Sequence, residues 1–341
     1  MIKLFTILHY GYRLLSLLFI LCVAVWSTPN NAQTPLNVTC TANVNSGSIN
    51  LGSITPVNAD TANITALLSY ECENTSDTVA KVSVCLAAGS GSNESQIVPA
   101  RYMTGPNSSR LAFNMTLSDG EIWGDRNFGK EYKSSVLTIA GNSKIQGSEV
   151  INTSLLSGKG NVNALQGVHA NNFDGIHTTL TVDIGTDLQV PDCATVDQGS
   201  TQFTFTVQAT VLSSCLINAT SDINLGIHSA GATNITSNNN IAVTCTNATS
   251  YKIGLTPSND NTTGKGIMAG TNGKSTLPYQ LQSDASGTEW GNNGNTYAAL
   301  TNGVTGTGDG AAKAHTVYVT VPNTDVTPDS YSDRVTVTVY Y

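Results

Sequence analysis

The residue types that most often carry catalytic or metal chemistry are sparse in this chain of 341 residues, and they are not spaced for it. None of its histidines belongs to an HExxH motif or to another spacing typical of metal ligands. The glycine-rich stretch GVTGTGDG lacks a following Lys-Ser/Thr pair, so it does not predict a phosphate site. No GxSxG motif is present. The sequence therefore predicts neither an enzyme nor a cofactor or metal site.

The first residues predict export. Lys3 and Arg13 precede the apolar run LLSLLFILCVAVW, which is followed by STPNNAQT, as in a secretory signal peptide. The run Leu14–Trp26 has 13 residues, fewer than the roughly 20 that a membrane-spanning helix needs. An uncleaved membrane anchor is the alternative. We predict a signal peptide over residues 1–32.

Charge and composition narrow the class of protein. The 15 basic residues, less Lys3 and Arg13, stand against 23 acidic ones, so the exported chain has a net charge near −10. Nucleic acid is not an expected partner, because phosphate backbones need a basic stripe. Charged residues make up 11% of the chain, below the about 25% of ordinary soluble domains. Asn, Thr, Ser and Gly supply the polarity, which indicates strands and turns.

Two stretches of the chain resemble each other. Each begins at a cysteine, continues through Ile-Asn-Leu-Gly and Asn-Ile-Thr, and ends in an alternating stretch closed by a second cysteine. They span Cys40–Cys72 and Cys215–Cys245. Further on, Arg101–Asp125 matches Gly266–Asn292, HTTLTV matches HTVYVTV, and TQFTFTVQATV matches DRVTVTVYY. The chain is therefore predicted to be a duplication.

The predicted domains cover residues 33–211 and 212–341. Each consists of short alternating strands separated by Gly, Asn, Asp and Pro turns, which predicts an all-β fold of two β-sandwiches in tandem. Six cysteines outside the signal form an even set in an exported chain, so we expect structural disulfides. The repeat predicts equivalent bonds Cys40–Cys72 and Cys215–Cys245, and it leaves Cys85 to pair with Cys193.

These motifs resemble a known family. The Cys…INLG…Cys stretches, the block from Arg-Tyr-Met to Trp-Gly and the closing YSDRVTVTVYY are similar to the spore coat protein U domain family, twice over. Two such domains in tandem resemble tip adhesins of Csu-type archaic chaperone–usher pili, which are surface fibres of Gram-negative bacteria used for attachment and biofilm formation. The resemblance implies immunoglobulin-like folds that lack one strand. A periplasmic chaperone fills the gap first, and an adjacent pilin subunit then donates a strand after export through an outer-membrane usher.

The resemblance also implies a position at the pilus tip, outside the cell. Only QTPLNVT precedes Cys40 after the signal, and at about 3.3 Å per residue this segment is too short to fill a neighbour's groove. The carboxy-terminal domain is expected to lack one strand and to receive it from a partner. Val335, Val337 and Val339 are predicted to face that groove, because alternate residues of a strand point the same way.

A contact surface is predicted from loops that are elaborated in the first half. Apolar loop tips there would press on an abiotic or host surface, an interpretation that the resemblance favours. Burial in the core is the alternative for each of these side chains. The candidates are Ile54, Pro56, Val57, Leu155, Leu156, Leu165, Val168, Leu188, Val190 and Pro191.

Two other interpretations stay open. A lectin-like tip would use Trp123, Tyr132 and Asp125 to hold a sugar, although Trp123 has a repeat equivalent at Trp290, which favours a scaffold role. A secreted spore-coat or surface-matrix structural protein would share the fold and the export signal but would need no chaperone.

Overall fold

The computed structural model describes residues 36–92, 100–186, 188–196, 201–219 and 222–341. The predicted signal peptide, residues 1–32, lies outside this part of the chain. Within the described ranges the protein is all-β, as predicted, with strands joined by turns and by three-residue 3-10 segments. No helix in these ranges has the length and apolar character needed to cross a membrane.

The described residues of the first domain form twelve strands in two sheets. The larger sheet has the order β1-β3-β9-β6-β5-β10-β12-β2, and the smaller sheet has the order β11-β4-β7, with β8 also paired to β4. All pairs are antiparallel except β12 with β2. The strands are β1 Val38–Val44, β2 Ser48–Ile54, β3 Asn63–Asn74, β4 Ala80–Ala88, β5 Arg101–Thr104, β6 Arg110–Thr116, β7 Tyr132–Lys133, β8 Leu137–Ile139, β9 Ser143–Leu155, β10 Gly167–Phe173, β11 Thr178–Gly185 and β12 Phe205–Val211.

In the second domain, the part of the chain that the structure describes forms nine strands, also in two sheets. Their orders are β13-β14-β19-β17-β16-β20 and β18-β15-β21. The strands are β13 Cys215–Ala219, β14 Thr233–Cys245, β15 Ser250–Pro257, β16 Lys265–Gly270, β17 Thr276–Gln282, β18 Val304–Thr307, β19 Ala312–Asn323, β20 Tyr331–Ser332 and β21 Val335–Tyr340.

Each domain has its own apolar core, built from the inward-facing residues of its alternating strands. A fully buried tryptophan lies in each core. The Trp123 indole N–H donates to the Leu86 carbonyl at 2.8 Å, and the Trp290 indole N–H donates to the Ile253 carbonyl at 2.8 Å. The two tryptophans therefore tie the two sheets together in the same way in both domains.

The three predicted disulfides are present. Cys40 and Cys72 lie directly opposite each other in β1 and β3, and Cys215 and Cys245 do the same in β13 and β14, with Cα atoms 4.1 Å apart in both pairs. Cys85 and Cys193 form the third bond, with Cα atoms 5.6 Å apart. The repeat in the sequence was therefore a correct guide to this pairing.

The structure corrects one part of the predicted repeat. The last strand, β21, pairs with β15, and the corresponding strand of the first domain, which pairs with β4, is β11 and not β12. Likewise β19 pairs with β14 as β9 pairs with β3, so HTVYVTV does not correspond to HTTLTV. Alternation marks any half-buried strand without identifying its partner. As a result, β12 has no counterpart among the described strands of the second domain.

A short connection joins the domains, since β12 ends at Val211 and β13 begins at Cys215. The Thr246 hydroxyl donates to the Leu212 carbonyl at 2.8 Å. The Asn247 side-chain amide donates to the Asn163 carbonyl of the first domain at 2.6 Å. The end of the first domain that carries Val211 therefore contacts the second domain.

Candidate functional site

The two sheets of the second domain do not close over their core along one side. The opening, which we call the open groove, lies between residues 222–226 and strands β20 and β21 and has a volume of about 580 Å³. A further opening of about 330 Å³ shares Leu225, Met268 and Tyr331 with it and extends it. Its walls combine polar and apolar side chains, and the apolar ones include Ile223, Leu225, Leu255, Leu281, Val335 and Val337.

An unpaired sheet edge runs beside this groove. Among the described strands, β21 pairs only with β15, and β20 ends the larger sheet by pairing only with β16. An edge strand presents main-chain N–H and C=O groups to any strand that approaches it. An unpaired edge next to an apolar groove is the arrangement that accepts an additional strand.

The corresponding position in the first domain is filled by β12. This strand lies between β10, to which it is antiparallel, and β2, to which it is parallel. Its inward-facing side chains Phe205, Val207, Ala209 and Val211 are all buried. The first domain is therefore closed by its own chain at the place where the described second domain is open.

The Ile-Asn-Leu-Gly repeat forms one wall in both domains. Gly52 and Gly226 have φ of 77° and 83°, a conformation that favours glycine. In each motif the asparagine side-chain oxygen accepts the glycine N–H at 2.8 Å. In the first domain the motif belongs to β2 and pairs with β12, whereas residues 223–226 lie outside any strand. The local fold is the same, and the paired strand makes the difference.

The predicted groove residues lie along this edge. Val335 and Val337 line the open groove. Val339 is half-buried against the same core and lies opposite Ile253 of β15. The sequence reasoning missed Ile223 and Leu225 on the opposite wall, although the INLG repeat marks both of them.

One polar pair lies at the groove. The Tyr279 hydroxyl donates to the Asp333 carboxylate at 2.6 Å, which connects β17 to the turn between β20 and β21. Burial of the phenol, with the hydrogen bond to Asp333, raises the pKa of Tyr279 well above its usual value. The Tyr279 phenol therefore stays neutral at physiological pH.

Three predicted surface residues are buried, so their assignment to a contact surface was wrong. Ile54 ends β2 and Leu155 ends β9, where it lies opposite Phe113 of β6. Pro191 is also buried and packs close to Gly185. Apolar residues at the ends of strands complete the core.

Three more candidates are half-buried, and two of these lie where the domains meet. Pro56 shares a small cleft with Thr246 of the second domain. Leu165 forms a parallel bridge with Asn247. Leu156 donates its main-chain N–H to the Ala112 carbonyl at 2.9 Å. Leu165 therefore contacts the second domain, and Pro56 lies beside it.

The remaining four candidates are exposed, but at opposite ends of the first domain. Val57 and Val168 are near the end that contacts the second domain. Leu188 and Val190 are 99% and 71% exposed. Strand β10 begins opposite Val211 and runs away from that end of the domain, and β11 continues in the same direction. Leu188 and Val190 follow β11 in the sequence. These two side chains therefore lie at the end of the first domain that is distant from the second domain.

The same end carries an exposed residue that the sequence reasoning missed. Val79 is 55% exposed and comes two residues before Lys81, which pairs with Gly185 at the end of β11. No signal in the sequence distinguishes Val79 from a core residue, because it directly precedes a buried strand.

A sugar platform on Trp123 is contradicted by burial, since this side chain has no exposed surface. Asp125 is engaged as the cap of a 3-10 segment, where its carboxylate accepts the Asn127 N–H at 2.8 Å. Within the described residues, no group of three His, Cys, Asp or Glu side chains is placed to hold a metal ion.

Comparisons with known proteins agree with this architecture. Residues 201–338 match the family model of the Spore Coat Protein U domain. One similar solved structure is a chain from the CsuC–CsuE chaperone–tip adhesion subunit pre-assembly complex of archaic chaperone–usher Csu pili of Acinetobacter baumannii. It has a TM-score of 0.51 and 14% identity over 89% of this chain and 100% of that chain.

A second similar structure is the CupB6 tip adhesin from Pseudomonas aeruginosa. It has a TM-score of 0.36 and 10% identity over 89% of this chain and 94% of that chain. No curated protein matches the sequence. The two-domain fold is thus shared with a chain of a chaperone–tip adhesion subunit complex, and residues 201–338 match the Spore Coat Protein U domain model.

Proposed function

We propose that this protein is an adhesive subunit at the tip of a chaperone–usher pilus, exported through the periplasm to the cell surface, where it mediates attachment and biofilm formation. The open groove of the second domain carries this proposal. A groove that is filled by a strand in one domain and open in its repeat is a site for a strand from another chain.

The incoming strand would add to the sheet edge at β20 and β21 and place alternate side chains into the groove. Main-chain hydrogen bonds to the edge supply affinity, and the apolar walls select the side chains. Each apolar side chain moved from water into such a groove contributes about 1.5–3 kcal/mol. A periplasmic chaperone would occupy the groove first, and an adjacent pilin subunit would replace it at the outer-membrane usher.

The distant end of the first domain would make the attachment. Leu188 and Val190 are exposed there on a turn closed by the Thr186–Gln189 bridge. Apolar side chains on such a turn lose their contact with water when they meet a hydrophobic surface. Weak contacts of this kind become strong when many fibres bind one surface at once.

The groove is tested by placing a charge on its wall. Val337→Asp should reduce co-purification with a co-expressed periplasmic pilus chaperone by about tenfold or more, because an unpaired carboxylate is costly to bury. Thr336→Asp is the matched control, since Thr336 is the exposed neighbour in the same strand. Equal capture of both variants, or no chaperone capture by the native chain, would favour a surface-matrix role over a pilus role.

A further inference from the structure

We propose that β12 is a donated strand. In the sequence, β12 is the amino-terminal extension of the second module, by which we mean the part of the chain from Thr201 onward. In the structure, β12 completes the first domain. This inference goes beyond the proposed function, because it concerns how the two modules of one chain are joined. It does not depend on where the protein is displayed.

The topology separates β12 from the rest of the first domain. Strand β10 pairs with β5 as β20 pairs with β16, and β11 pairs with β4 as β21 pairs with β15. In these pairings, each strand of the first domain has a counterpart in the second domain, and β12 takes no part in them. What β12 adds is a strand between β10 and the INLG wall of β2, at the place that stays open in the described second domain.

The contacts of β12 are those of a strand inserted into a groove. Phe205 stacks on Phe173 with ring centroids 4.5 Å apart and on Trp123 at 5.7 Å. Val207 has no exposed surface. Just before the strand, Thr201 exchanges two main-chain hydrogen bonds with Leu180, at 2.8 and 2.9 Å. The segment from Thr201 to Val211 therefore lies along both β10 and β11.

The family match places this segment in the second module. It covers residues 201–338, and so it begins at Thr201, just before β12. In the sequence, β12 therefore belongs to the second module, whereas in the structure its contacts are with the first domain. A strand that leads one module and fills the groove of the preceding domain is a donor strand within a single chain.

The disulfides make the inference testable. The bonds Cys40–Cys72 and Cys85–Cys193 lie before Thr201, and Cys215–Cys245 lies after it. A cut between Val196 and Thr201 therefore leaves two pieces that share no covalent bond. Their association would rest on β12 and on the contacts at the domain junction.

The experiment inserts a protease recognition sequence between Val196 and Thr201 of the full chain and cleaves the folded protein. We expect both pieces to elute together without denaturant. Excess peptide with the sequence of residues 201–211 should displace the second piece at a urea concentration below the unfolding midpoint. Val207→Ala in the chain should speed that displacement by about tenfold or more, whereas Asn247→Ala, at the junction, should change it by less than about threefold.

Two results would overturn the inference. The first is separation of the pieces on cleavage while the first piece keeps its native melting temperature, which would show that β12 is dispensable. The second is displacement that occurs only together with unfolding of the first piece, which would make β12 an ordinary last strand. Because Val207→Ala is a mild change and the peptide acts on the native sequence, a folding defect cannot produce either result.

Discussion

Arg101 shows how much a single buried residue contributes to the first domain. Its guanidinium is fully buried and donates to the Ala88 and Gly89 carbonyls at 2.8 Å, and also to the Trp123 carbonyl. Burial lowers the pKa of Arg101 to about 9, so the side chain remains charged at neutral pH. It thereby satisfies three carbonyl groups where the chain turns between sheets.

Replacing this residue should be costly. Arg101→Met is expected to lower the free energy of unfolding of the full chain by about 3–5 kcal/mol, because three buried carbonyls lose their donor. Arg334→Met, at an exposed position, should change it by less than about 0.5 kcal/mol. Urea titration followed by tryptophan fluorescence measures both. Similar midpoints for the two variants would show that the Arg101 network is not stabilising.

Two histidines make stability depend on pH. His169 lies within 2.9 Å of the Ser109 hydroxyl, and His315 lies within 2.8 Å of the Tyr251 hydroxyl. Burial lowers the pKa of both imidazoles in the folded protein. An imidazole whose pKa is lowered in the folded protein stays neutral there but takes up a proton when the protein unfolds. The free energy of unfolding therefore decreases as the pH falls below about 6.5.

The melting temperature should therefore drop between pH 7 and pH 5.5. Each of the two histidines contributes a slope of at most about 1.4 kcal/mol per pH unit. The double variant His169→Gln and His315→Gln should flatten the slope, and His228→Gln, at an exposed position, should leave it unchanged. Calorimetry across this pH range measures the effect, and an identical slope in all three proteins would contradict it.

At the scale of elements, the sequence predicted what repetition and alternation can determine. The INLG and cysteine repeats predicted two sandwiches and two equivalent disulfides, because equivalent residues take equivalent places in duplicated folds, and the two remaining cysteines predicted the third bond. The pairing of strands was harder to predict. Strands β12 and β21 have the same alternation, but only their neighbours in space show that one fills a groove and the other borders one.

The loops were harder still, because exposure is a property of packing. Leu155 and Leu188 were both predicted to lie in loops particular to the first domain, yet Leu155 ends β9, the counterpart of β19, and packs in the core, while Leu188 extends from a turn. Composition alone gives the two leucines the same expected role. The structure leaves the turn with Leu188 and Val190 as the element to test for attachment.

Replacing both apolar side chains of this turn should weaken adsorption. Leu188→Ser with Val190→Ser is expected to reduce binding of the purified protein to a hydrophobic surface by about tenfold per side chain or more, since each loses about 1.5–3 kcal/mol of burial. The control is Val57→Ser with Val168→Ser, which alters exposed valines near the domain junction. A quartz crystal microbalance measures both proteins. Equal adsorption would exclude this turn as the contact.

At the scale of the whole molecule, the two domains differ in completeness. The first domain has β12 in its groove, while the described part of the second has an apolar groove beside the edge formed by β20 and β21. A folded domain with such an edge is open to pairing with another chain. This arrangement supports the proposal that the open groove accepts a strand from another chain.

Hydrogen exchange of the full chain tests this claim most directly, with and without a bound periplasmic pilus chaperone. The account predicts that the amides of residues 223–225, and those of β21 that face away from β15, exchange readily in the free protein and at least about tenfold more slowly in the complex, because an added strand pairs with the edge. The amides of β12 should be slow in both states. Unchanged exchange along β21, with protection elsewhere on the surface, would contradict the account.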